Sequence, residues 1–237
     1  NLEPKNITHL IDKVVEMAEV VPKNKFCGLA KNNQIIKAQK KEFEDLQQYD
    51  SFSPSPKELN DMVLSFENSA LENKKIINSE GAEISCSKNK YFLLASNGLE
   101  LEFEKTHSDY IIAVLAGNSK SMEREYDYKS KVFFKDLGDF DQIGKKVSKE
   151  AINKLNAKKI KTCKSSVIFD SKVSSSLLNN LFSACNASSI IKGTSFLKKC
   201  KGKKIFGKNI NIIDDPSMKA KLRSRISDCE GIASKRK

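Results

Sequence analysis

Apolar residues between positions 4 and 21 recur at helical spacing. Ile7, Leu10, Ile11, Val14, Val15 and Ala18 fall on one face, Pro4 suits the first turn, and Pro22 ends the run. A polar connector with a few apolar anchors follows to about residue 53. Ser55-Pro56-Lys57-Glu58 then combines a capping box with proline at the first helical position. The helix it opens carries Leu59, Met62, Val63, Phe66 and Ala70 as its expected buried stripe. From about residue 82 the period changes to two, and residues 83–88, 91–96, 99–105, 109–116 and 121–129 read as successive strands. Asn97-Gly98 is a strong hairpin signal of the type I′ class, in which both residues adopt positive φ.

A further helix is expected over about 140–156, with Ile143, Val147, Ile152 and Leu155 inward and its lysines in solvent. After the charged Lys158–Lys161 stretch, 166–170 reads as a short apolar strand. Residues 173–185 read as a helix burying Val173, Leu177, Leu178, Leu181 and Phe182, and 209–213 as a last strand. The pattern predicts an α+β fold in which amino-terminal helices pack on an antiparallel sheet, followed by the start of a second, β-rich domain. The expected boundary lies near 160, giving domains 1–160 and 161–237. No repeat is visible.

Composition narrows the function classes. With 237 residues, 39% of them apolar and 30% charged, the chain can fill a core, which excludes wholesale disorder. The longest apolar run, Tyr110 to Ala116, is far shorter than the ~20 residues a spanning helix needs. The chain starts without Met or a leader-like segment and ends abruptly, so it is expected to be an internal stretch of a longer protein. Charge is uneven. Residues 1–140 carry 19 basic and 23 acidic side chains, whereas 141–237 carry 23 and 7. Lys198, Lys199, Lys201, Lys203, Lys204 and Lys208 could attract nucleic acid or an acidic partner. Only four of the 42 basic residues are arginine, however, in a chain also rich in Asn and Ile. That usage fits an AT-rich genome better than selection for phosphate and base contacts, which favour the arginine fork.

The six cysteines, at 27, 86, 163, 185, 200 and 229, form no C-x-x-C pair, and their small or apolar neighbours suggest buried, reduced thiols of a cytosolic protein. His9 and His107 stand apart from each other and from metal-type neighbours, so no metal or other cofactor is expected in this chain.

Several motifs occur in one order along the chain. They are Phe26-Cys27-Gly28-Leu29-Ala30, Ser53-Pro54-Ser55-Pro56, Asn78-Ser79-Glu80-Gly81-Ala82, Ser96-Asn97-Gly98 and the run from Ser121 to Tyr128. They continue with Ser166-Val167-Ile168-Phe169, Lys192-Gly193-Thr194-Ser195-Phe196, Ile212-Ile213-Asp214-Asp215-Pro216 and Asp228-Cys229-Glu230-Gly231. Together they resemble the TldD/TldE metallopeptidase family, specifically its TldE branch, also called PmbA or modulator of DNA gyrase.

The resemblance implies a cytoplasmic TldD–TldE heterodimer that degrades unfolded peptides in an enclosed cavity. Zinc is expected in the TldD-type partner, where a helix carries H-E-x-x-x-H. The corresponding helix here follows the 166–169 segment, and in register Asn179 and Asn180 stand at the first His and the Glu, and Ala184 at the second His. Asparagine is a poor zinc ligand and no general base, and alanine is neither, so this subunit is expected to be non-catalytic. Asn179 and Asn180 could face the cavity as polar groups, but simple exposure on the helix's polar side is the expectation.

Arg223, Arg225, Asp228 and Glu230 match a family segment that could form a peptide- or subunit-facing loop, or a loop held by local ion pairs. This segment departs from the family pattern, with Ser227 in place of an aromatic and Lys219 to Lys221 in place of a flexible Pro-Gly run. Glu123, Arg124 and Glu125 are expected to make sheet-surface pairs. The alternative function, a non-enzymatic modulator binding DNA gyrase or nucleic acid, rests on the family's other name and the basic half.

Overall fold

The computed structural model describes residues 3–23, 28–38 and 40–237, so Phe26 and Cys27 of the first motif lie outside the described residues. Its elements are α1 (Pro4–Val20), α2 (Lys40–Glu44), α3 (Pro56–Leu71), β1 (Ile76–Leu94), β2 (Glu100–Asn118) and β3 (Ser121–Lys131). A 3-10 turn (Phe134–Leu137), α4 (Phe140–Lys154), α5 (Ser171–Cys185) and α6 (Ala187–Ile191) complete the order.

The chain is α+β, as its pattern predicts. Three antiparallel strands in the order β1-β2-β3 form one sheet, and α3 and α4 cover one face of it. The capping box forms as expected. Ser55 Oγ accepts from the Glu58 N–H (3.2 Å), while the Ser55 N–H donates to Glu58 Oε2 (2.7 Å). Phe66 and Ala70 of α3 meet Ile84, Tyr110, Ile112 and Val114 of the sheet and Val147 and Ala151 of α4, with Leu59, Met62 and Val63 packed around them. Burying such side chains contributes roughly 1.5–3 kcal/mol each for the larger ones, which makes this cluster the dominant stabilising element. The two helices approach closely at Gly144, where an added Cβ would lie 2.0 Å from Ser69 Oγ and 2.8 Å from the Phe66 carbonyl.

Five predicted strands become three. Residues 83–94 run on as one strand, as do 100–118, because neither Asn89 nor His107-Ser108 interrupts a register that is continuous from Ala82 to Leu94. The hairpin between them is also different in detail. The Gly98 N–H donates to the Ala95 carbonyl and only Gly98 has positive φ (86°), which makes a three-residue loop closed by a left-handed glycine rather than a type I′ turn.

The long hairpin changes its covered face along its length. Near α3 and α4 the even-numbered residues of β2, Tyr110 to Ala116, are buried. Toward its tip the odd-numbered residues are covered, Leu99 and Leu101 being buried and Phe103 stacked between Phe43 of α2 and Tyr91 of β1 (4.8 and 5.1 Å between centroids).

The second half departs further from expectation. Residues 166–170 and 209–213 join no ladder, and Ile168 is 97% exposed, because no strand lies beside them to take their backbone hydrogen bonds. The predicted helix forms as α5, but Val173, Leu177, Leu178 and Phe182 are exposed rather than buried. The apolar face of α1 is likewise uncovered by the described residues. Spacing reports which face is apolar, not whether anything lies against it. The expected burial of the thiols fails in the same way, with Cys163, Cys185 and Cys229 exposed and Cys86 and Cys200 half-buried. Among the described residues no helix is long and apolar enough to cross a membrane.

Candidate functional site

The helix singled out by the sequence, α5, begins at Asp170, whose carboxylate accepts from the Lys172 N–H (2.8 Å). Local chemistry therefore fixes its start. Its first turn is tied to the first half of the chain through one side chain. Lys172 Nζ donates to Glu150 Oε2 of α4 (2.7 Å), to the Tyr126 carbonyl of β3 (3.2 Å) and to Glu125 Oε1 (3.4 Å). The other Glu125 oxygen takes Lys154 Nζ at 2.6 Å. Glu125 is only 6% exposed, so the sheet-surface role expected for it is replaced by a buried carboxylate paired with partly exposed lysines, a cluster joining β3, α4 and α5. Arg124, one residue earlier and on the opposite face, does make an exposed pair, with Glu80.

The cluster perturbs its titrations in a consistent direction. Burial raises the Glu125 pKa, but the Lys154 hydrogen bond, the Tyr126 N–H and both lysine charges outweigh it and hold the carboxyl below the usual range. Burial lowers that of Lys172, and its bond to Glu150 with the charges of Glu125 and Asp127 carries it above the ordinary lysine value. Tyr110 beside them is pushed up to about 12 by burial and by Asp127.

Farther along α5, Asn179 and Asn180 are exposed, as is most of the helix. Ala184 is buried, and its carbonyl accepts from Ser195 Oγ (2.6 Å), which ties the end of α5 to the loop after α6. These three positions present two neutral amides and a methyl group. An amide oxygen is a weak, hard donor for zinc, and a methyl group is no donor, so the set does not fit a zinc ion. Among the described residues no three His, Cys, Asp or Glu side chains gather as a metal site.

The carboxy-terminal loop is placed elsewhere, against the hairpin tip. Asp228 Oδ1 accepts from the Glu230 and Ile232 N–H groups (3.0 and 2.9 Å), and the Gly231 N–H donates to the Asp228 carbonyl. Gly231 has φ 79° and sits so near Leu99 that an added Cβ would fall 2.4 Å from its Cδ1. Asp228 thus organises a turn, while Arg223, Arg225 and Glu230 are exposed. The structure does not bring this loop together with Asn179 and Asn180 through any described contact between side chains.

Sequence reading missed Gln48. It is buried, and its Nε2 donates to the carbonyls of Lys221 (2.5 Å) and Ser224 (2.9 Å), holding the loop from more than 170 residues away. A polar residue in a polar connector carries no signal of this. Lys172 and Glu150 were missed for the same reason, since an ion pair between distant segments leaves no local spacing.

Comparison with known proteins gives the following. Residues 49–155 match the central domain, and residues 162–237 the C-terminal domain, of the PmbA/TldA metallopeptidases. The chain is 31% identical over 173 residues to a metalloprotease PmbA homologue from Buchnera aphidicola, covering 73% of this chain and 39% of that protein. It is 24% identical over 241 residues to the metalloprotease PmbA of Escherichia coli, covering 100% of this chain and 52% of that protein. A solved Bacteroides thetaiotaomicron structure named for modulation of DNA gyrase superposes with a TM-score of 0.88 at 26% identity, over 100% of this chain and 54% of that one. TldE from Thermococcus kodakarensis shares the fold, with a TM-score of 0.64 at 20% identity over 99% of this chain and 52% of that one. The chain therefore spans about half the length, or less, of these relatives.

Proposed function

The chain belongs to the PmbA/TldD metallopeptidase family, and on that premise we propose that it is a TldE-type subunit, without a zinc site of its own, of a heterodimer that degrades unfolded peptides. What supports this reading is the chemistry of α5, where Asn179, Asn180 and Ala184 stand, by the family resemblance, at the positions of the His, Glu and His of the catalytic branch. In this reading the TldD-type partner holds the zinc, and this chain completes the chamber and supports the partner. The exposed Val173, Leu177, Leu178 and Phe182 face of α5 supports a helix that is covered only in a larger assembly. Exposed, unpaired thiols at Cys163, Cys185 and Cys229 support a reducing compartment, and we place the protein in the cytoplasm.

Substitution tests it directly. Asn179→Ala with Asn180→Ala should leave the peptidase activity of the pair nearly intact, since neither side chain is assigned a step. Loss of zinc or of turnover on that change would remove the proposal.

The second reading, a non-enzymatic modulator of DNA gyrase or a nucleic-acid binder, rests on the name carried by the Bacteroides relative and on the lysine-rich second half. Counterion release gives its signature, an affinity for DNA falling steeply with salt. Binding that persists at physiological salt would favour it, whereas binding that vanishes there would be nonspecific attraction to lysine.

A further inference from the structure

Strand β2 is longer than the partner on its outer side. Its pairing with β3 begins at Ser108 opposite Lys131, after which the chain turns away through Val132 and Phe133. Residues 100–107 of β2 therefore have β1 on one edge and no strand on the other among the described residues.

The direction of each backbone group on that edge follows from two hydrogen bonds. The Leu99 carbonyl accepts from Ala95, so odd-numbered groups point toward β1. The Thr106 N–H donates to the Gln48 carbonyl on the opposite side, so even-numbered groups point outward. The register between these residues has no bulge. Gln48 thus closes the edge at Thr106 and leaves the N–H and C=O groups of Glu100, Glu102 and Glu104 without a backbone partner among the described residues.

That open edge borders a cavity of roughly 1180 Å³, whose lining includes Phe43, Phe103 and Phe133 with the same three glutamates. Among the described residues of the lining the one basic group is Lys90, which is already tied to Glu102 (2.5 Å). On a chain of formal charge +12 this is a local acidic site.

We propose that the outer edge of β2 at Glu100, Glu102 and Glu104 is a docking slot for an extended, lysine- or arginine-bearing segment of an unfolded polypeptide. The segment adds a strand in line with β3. Its backbone pairs with the three outward-facing residues, its basic side chains meet the glutamates, and its apolar side chains meet the phenylalanines. Five residues of β2 are enough for about 17 Å of strand at the usual rise. The slot lies in the sheet half of the chain, apart from α5. The choice of an unfolded polypeptide as occupant rests on the function proposed above, but binding at the slot is read without zinc or turnover, so each can fail alone.

The test is residue-resolved amide hydrogen exchange on the full-length protein, with a capped hexapeptide of alternating lysine and valine as probe. Without peptide, the Glu100, Glu102 and Glu104 amides should exchange fast and those of Leu101 and Phe103 slowly. Peptide should slow the three even-numbered amides. A Glu100→Gln, Glu102→Gln, Glu104→Gln variant should bind about tenfold more weakly, as three exposed ion pairs of ordinary strength would give. Even-numbered amides already slow without peptide would mean that the protein's own chain fills the edge, and would overturn the proposal. So would binding without protection of these amides, or equal binding of a glutamate–valine hexapeptide.

Discussion

Glu125 concentrates much of what single residues contribute here. Its carboxylate is buried, yet both oxygens are paired, one with Lys154 and the other with Lys172. Charge-assisted hydrogen bonds to a buried carboxylate are worth more than exposed pairs, because water screens them less, even though Lys154 and Lys172 keep part of their surface in solvent. Glu125→Gln should therefore destabilise the protein by about 2 kcal/mol near neutral pH, measured by urea unfolding. The pH dependence has a definite sign. The folded pKa is depressed, so the contribution is fully present above the ordinary glutamate value and is lost as pH falls through the folded value. The gap between wild type and variant should accordingly close in acid, and a gap that widens would contradict the assignment. Gly144 is the second such residue. Gly144→Ala gains up to about 1 kcal/mol of helix propensity but drives a methyl group into Ser69 and the Phe66 carbonyl, so a net loss of roughly 1–3 kcal/mol is expected. A stabilised variant would mean that α3 and α4 are not in contact there.

At the scale of elements, legibility follows the range of the interactions involved. The capping box of α3 is written in four consecutive residues and forms as read, and Ser55→Ala should cost about 1 kcal/mol in thermal or urea unfolding. The stripe from Leu59 to Ala70 and the inward positions of α4 were equally legible, since helical spacing is local. Strand ends were not. Whether residues 88–91 break or continue a strand depends on a partner about 15 residues away, and the long register decides for continuation. The covered face of the hairpin also changes along its length, which no single period of two can encode. For α5 the sequence located the helix and the three positions that lack zinc-binding chemistry, but not its anchor. Lys172 reaches residues 22 and 47 positions away. Lys172→Met should leave α3, α4 and the sheet intact while speeding amide exchange in the first turns of α5. Unchanged exchange there would show that the apolar contacts of α5, not this cluster, hold it.

The whole molecule divides into a packed sheet-and-helix half and a second half whose apolar groups are largely exposed, from Val167 and Ile168 through α5 to Ile213. Exposed apolar surface on that scale is what a face covered by further chain or by a partner presents when it stands alone. It agrees with a chain that spans about half the length of its relatives. The central claim is that this subunit joins a metallopeptidase without holding its metal. Native mass spectrometry of the full-length protein, alone and then with a TldD-type partner, tests it most directly. The account predicts no zinc on the lone protein and one zinc per heterodimer. Zinc on the lone protein, or failure to form a heterodimer, would contradict it.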